Sequence, residues 1–136
     1  MKTLALLVLL GICIPKCEAI GKCDVVRAAK SVGLHEYKGY SAANYACLAY
    51  YASNYDTSLN RSPTEYGIFQ INSGWWCKKH WNDKKPCNVL CSDLLDRNIY
   101  DDLRCVKRIV QDPNGLHAWT PWVRYCKGTN LKRFDC

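Results

Sequence analysis

Within the short stretch from Thr64 to Cys77 the chain carries a carboxylate, two amides and two adjacent indoles, at Glu65, Gln70, Asn72, Trp75 and Trp76. A carboxylate can move a proton or stabilise charge beside a reacting atom. Indole faces stack on sugar rings, and amides bond to hydroxyl and acetamido groups. The set therefore suits carbohydrate chemistry. Ordinary packing is the competing reading for the tryptophans; neighbours on a strand face opposite sides, so at most one of Trp75 and Trp76 is expected to be fully buried.

A second constellation is acidic: Asp93, Asp96, Asp101 and Asp102 gather around Asn98. Asp101 and Asp102 could simply complement the positive end of the helix that follows, worth about 0.3 to 1 kcal/mol. The run is not an EF-hand, since it lacks the glycine at position six and the glutamate at position twelve. His35, His80 and His117 stand apart, and Cys87-x3-Cys91 has no second pair at zinc spacing. Asn60-Arg61-Ser62 forms a glycosylation sequon, which Pro63 disfavours.

These residues need elements to position them. A helix is expected from about Asp24 to Val32, stopped by Gly33, and a second from Ser41 as N-cap to about Asn54. The segment from Tyr55 to Ile71 is rich in Asn, Ser, Thr and Pro, then turns to Tyr66, Ile68, Phe69 and Ile71, as hairpin strands do. Loop-rich chain follows Cys77 to about Ser92. A third helix is expected from Asp101 to Gln111, ended by Pro113-Asn114-Gly115, with short helical turns around Trp119 to Tyr125. Helices flanking a small antiparallel sheet make an α+β class with a cleft between two lobes.

Residues 1–19 read as a secretory leader, with Lys2, an apolar run from Leu4 to Ile14 and the small-residue site Cys17-Glu18-Ala19. That run is too short to span a bilayer. Without the leader eight of the ten cysteines remain, an even set that implies disulfides in an exported chain, with 105 connectivities open. The formal charge of +7, less Lys2 and Lys16 and plus Glu18, becomes +6. Such a surface favours anionic partners, with Lys78-Lys79-His80-Trp81 and Lys84-Lys85 as the contact. No nucleic-acid partner and no membrane span are expected, and residues 20–136 make one monomeric domain.

The Thr64–Cys77 stretch, set in a ladder of cysteines at 23, 47, 77, 87, 91, 105, 126 and 136, resembles the β-domain signature of c-type lysozymes and α-lactalbumins. The resemblance covers nearly all of residues 20–136. It implies a lysozyme-like fold, a helical lobe plus a small antiparallel sheet lobe around a cleft. It also implies four disulfides: Cys23–Cys136, Cys47–Cys126, Cys77–Cys91 and Cys87–Cys105. Glycosidases of this kind use one carboxylic acid to protonate the leaving oxygen and a second carboxylate across the bond. Glu65 matches the second. The general-acid position, five residues after Cys47, carries Ala52. Neither Ser53 nor Asp56 is an evident replacement.

By the same resemblance Gln70, Asn72, Trp75, Trp76, Asp112, Asn114, Ala118 and Trp119 match sugar contacts or cleft walls. The segment between Ala52 and Glu65 is about four residues shorter than in a typical lysozyme, and Tyr125 replaces a frequent arginine. The acidic run resembles the calcium elbow of α-lactalbumins and some lysozymes, with carboxylates Asp96, Asp101 and Asp102 and the carbonyls of Asp93 and Asn98 around a structural Ca2+. The expected function is a secreted, extracellular, calcium-binding protein. Its cleft holds an amino-sugar oligosaccharide or bacterial cell wall, with muramidase activity lost or strongly reduced. The alternatives are an active antibacterial lysozyme cutting β-1,4 bonds of peptidoglycan, and an α-lactalbumin-like modifier of a galactosyltransferase. Tyr51 and Arg133-Phe134 depart from the latter's pattern.

Overall fold

The computed structural model describes residues 20–136, so the leader expected over residues 1–19 lies outside the described residues. The elements are α1 (Lys22–Ser31), α2 (Ala42–Ser53), β1 (Glu65–Tyr66), β2 (Ile71–Asn72), α3 (Tyr100–Val110) and α4 (Thr120–Tyr125). Single-turn 3-10 helices occupy Cys91–Leu95, Gly115–Ala118 and Lys132–Phe134. The α+β class and the helix boundaries hold to within about two residues, the usual scatter at frayed ends.

Helix α2 is apolar on nearly every side, as a helix enclosed by its own domain must be. Tyr45, Ala46, Cys47, Leu48 and Ala49 are fully buried on it. Ser41 is its N-cap, yet its side chain makes no capping bond; the His35 ring accepts the Ala42 amide at 3.0 Å instead. Asn54 closes the helix in the left-handed conformation, φ 54°, a role asparagine fills more readily than most residues.

All four disulfides implied by the resemblance are present. Cys47–Cys126 ties α2 to the end of α4. The Trp122 indole donates to Asn44 Oδ1 at 2.9 Å, which makes Trp122 a core residue.

The sheet is smaller than the apolar cluster from Tyr66 to Ile71 suggests. Its two strands pair antiparallel with Glu65 opposite Asn72 and Tyr66 opposite Ile71. Ile68 and Phe69 are therefore not strand residues. They lie in the turn between the strands, which Gly67 (φ 81°) and Gln70 (φ 50°) bend sharply, and both point into the core. Ser53 Oγ donates to the Ile68 carbonyl at 2.7 Å, and the Trp119 indole to the Phe69 carbonyl at 2.8 Å. The turn is thus stitched to the helical lobe at two points.

Gly67 also meets the acidic loop. A Cβ there would collide with the Leu94 carbonyl and stand 2.7 Å from Asp102 Oδ2. Close approach and a positive φ both demand glycine. Gly67→Ala should destabilise the protein by about 3 kcal/mol or more, read from urea denaturation; a change below 1 kcal/mol would mean that the two segments part easily.

Candidate functional site: a cleft without a proton donor

The end of α2, the β1–β2 pair and the start of α4 enclose a cavity of about 180 Å³. Of the expected residues, Ala52, Glu65, Gln70, Asn72, Trp76, Ala118 and Trp119 line it. The pairing of Glu65 with Asn72 explains part of this, because directly opposed residues project from the same face of the sheet.

Their roles differ in detail from the expectation. Gln70 is buried, and its Nε2 donates to the Leu59 and Gly67 carbonyls at 2.9 and 2.8 Å, so the amide holds the turn together. Its Oε1 is buried without a partner. Asn72 Oδ1 accepts the Gly74 amide at 2.6 Å. Trp119 is buried and bonded to Phe69, so it is core and cleft wall together. The adjacent indoles, which lie in a turn beyond β2, separate: Trp76 is half-buried against the cavity, while Trp75 is 72% exposed and outside it.

Asp112 and Asn114 are not brought to the cavity. Asp112 pairs with Arg108 at 3.0 Å and borders a separate hollow with Lys38 and Tyr40. Asn114 is exposed at the start of the Gly115–Ala118 turn.

The acid position is a methyl group. Ala52 is 1% exposed. Asp56 does not replace it, since its Oδ1 accepts both the amide and the hydroxyl of Ser58, at 2.9 and 2.8 Å, and it does not line the cavity. What does stand beside Ala52 is Arg61, whose Nη2 donates to the Ala52 carbonyl at 2.8 Å. The sequence reading passed over this residue except as the middle of a sequon. No motif or spacing in the sequence points to Arg61, which lines the cavity beside Ala52. The sequon asparagine is itself occupied: Asn60 Nδ2 donates to the Ser62 and Glu65 carbonyls at 2.7 and 2.8 Å.

The molecule shares its ancestry with known proteins. A family described as C-type lysozyme/alpha-lactalbumin matches residues 18–136. The chain belongs to the C-type lysozyme/α-lactalbumin family. It is 45% identical over 123 residues to the milk isozyme of lysozyme C from Canis lupus familiaris, covering 86% of this chain and 95% of that one. Lysozyme C of Bufo gargarizans andrewsi is 46% identical over 120 residues (83% and 82%). Sperm acrosome-associated protein 5 of Homo sapiens is 42% identical over 118 residues (83% and 74%). The crystal structure of holo-type canine milk lysozyme superposes with a TM-score of 0.75 at 44% identity, covering 86% of this chain and 95% of that one.

In this family member the acidic loop is a second unusual place. Asp102 is 1% exposed, and neither carboxylate oxygen has a hydrogen-bond partner outside its own residue. Burial pushes its pKa up to about 8, and the nearby charges of Asp96 and Asp101 push the same way. Asp96 Oδ1 accepts the Asn98 amide at 3.0 Å, and Asp101 pairs with Arg104 at 3.0 Å. Among the described residues, no three acidic, histidine or cysteine side chains converge closely enough to enclose an ion. The orphaned, buried Asp102 carboxylate has the oxygen chemistry that a hard cation takes.

Each histidine has a local role or neighbour. His35 caps α2, His117 Nδ1 lies 3.1 Å from the Asn114 carbonyl, and the His80 backbone amide donates to Asp83.

Proposed function

We propose that this protein is a secreted member of its family that binds amino-sugar oligosaccharides in the cleft and does not readily hydrolyse them. The observation that carries the reading is the buried methyl group of Ala52 where a proton donor belongs, with Glu65 the one carboxylate lining the cavity. General acid catalysis contributes about 10² to 10⁴ in rate. Glu65 can still stabilise positive charge on a sugar carbon, but the departing oxygen has no acid to take a proton from.

The half-buried Trp76 face, the Asn72 amide and the orphaned Gln70 carbonyl are the groups left to hold a ring. Chitotetraose should bind in titration calorimetry while chromatography of the same sample finds no cleavage. Trp76→Ala should weaken binding about tenfold or more, in the range of lost ring stacking. Rapid cell-wall hydrolysis abolished by Glu65→Gln would instead support the competing reading, an active lysozyme, which the names of the relatives favour.

We assign calcium to the acidic loop, held by the carboxylates of Asp96, Asp101 and Asp102 with the carbonyls of Asp93 and Asn98. Its service there is charge neutralisation of Asp102. The transferase-modifier reading is weaker: Arg133 Nη2 donates to the Tyr51 hydroxyl at 2.5 Å, so the two departures from the α-lactalbumin pattern form one altered surface.

A further inference from the structure

Arg61 is a cation in a cleft with no counter-ion. Among the described residues the arginine–carboxylate pairs are Arg27–Asp24, Arg104–Asp101 and Arg108–Asp112, and Arg61 takes part in none of them. Glu65 lines the same cavity and is equally unpaired; Ser62 Oγ donates to its Oε1 at 3.3 Å, on the strand side. The two charges therefore face the cavity separately, the cation against the helical wall at Ala52 and the anion on the sheet wall.

The bond to Ala52 gives Arg61 a structural duty, since the last carbonyls of a helix lack partners and carry the negative end of its dipole. That duty uses one of five N–H donors. The remaining donors of a planar guanidinium match a carboxylate in paired fashion, and a partly enclosed cleft strengthens such bonds relative to open water.

We infer that Arg61, clasped to the Ala52 carbonyl at the edge of the cavity, makes this cleft select saccharides bearing a carboxylate on the ring next to Ala52 over neutral amino-sugar chains. The inference rests on the saccharide-binding reading above and names the ligand class of that site. Arg61, which lines the cavity beside Ala52, is the specificity-determining residue.

The test compares chitotetraose with the same tetrasaccharide oxidised to carboxylates at C6, by titration calorimetry on the full secreted chain. The oxidised sugar should bind about tenfold tighter or better, and this ratio should shrink toward one as salt rises. Arg61→Gln should bring the ratio close to one. A variant that weakens both sugars equally would show a structural clasp only and overturn the assignment. The salt dependence of the unmodified protein decides the matter even if the variant folds poorly. If chitotetraose binds and the oxidised form binds no better, the Arg61 assignment fails alone; if neither sugar binds, the saccharide reading itself fails.

Discussion

Replacing Ala52 with glutamate alone will restore little hydrolysis, whereas Ala52→Glu combined with Arg61→Gln will raise cell-wall cleavage by about 10² or more. If the missing acid were the whole defect, the single change would suffice. The structure adds a guanidinium anchored at the very residue to be changed. A general acid in this position must keep its proton near neutral pH, which an apolar pocket achieves by raising its pKa to about 6. An opposite charge within reach lowers a carboxyl pKa by about 1 to 3 units. At pH 7 a glutamate with a pKa of 6 is about 10% protonated, and one held at 4 about 0.1%, a hundredfold loss of competent enzyme. Turbidity of a cell-wall suspension over pH 4 to 8 reads this directly. The single variant should gain activity only toward acid, and the double variant near neutrality. Equal activity of the two at pH 7 would clear Arg61 of any inhibitory part.

Removing calcium will lower the melting temperature by about 10 °C. A ligand held by the folded state at a hundred times its Kd stabilises by about 2.7 kcal/mol, and about 4 °C per kcal/mol is usual for a domain of this length. Calorimetry with calcium and with chelator measures the difference, and Asp102→Ala should abolish it. The chelated protein carries its own signature. Asp102 has its pKa raised from 3.8 to about 8 by burial, so the folded state holds a proton that the unfolded chain releases. Its stability is then greatest below about pH 4 and is lost progressively as pH climbs toward 8. With calcium bound the loss should vanish, because the ion takes over the neutralisation. Identical melting curves with and without calcium at pH 7.5 would remove the ion from the account.

The parts of this molecule that were legible in the sequence are those fixed by local chemistry or by the cysteine ladder. Helix α2 announces itself through Ser41, its apolar run and Asn54, and Glu65, Trp76 and Ala52 follow from their distances to Cys47 and Cys77. The apolar cluster misassigned Ile68 and Phe69, because such a cluster cannot distinguish a strand from a tight turn whose apolar residues face the core and whose carbonyls accept from Ser53 and Trp119. Asp112 and Asn114 matched a pattern, yet Asp112 is paired with Arg108 and Asn114 is exposed to solvent ahead of Gly115, and neither reaches the cavity. Arg61 was invisible for a different reason. Its place depends on the path of a shortened loop over the end of α2, and no spacing rule encodes that path.

Gly67 and Asp102 lie so near each other that a Cβ at Gly67 would stand 2.7 Å from Asp102 Oδ2. Gly67 directly follows the strand that carries Glu65, and the acidic loop rests on it from behind. An ion that shifted the Asp102 carboxylate would be felt at Gly67, next to the strand that carries Glu65. Thermodynamic reciprocity then applies: to whatever degree calcium tightens the hold on a sugar, the sugar tightens the hold on calcium by the same factor. A glycan-rich surrounding would thus keep the metal in place where free calcium is scarce.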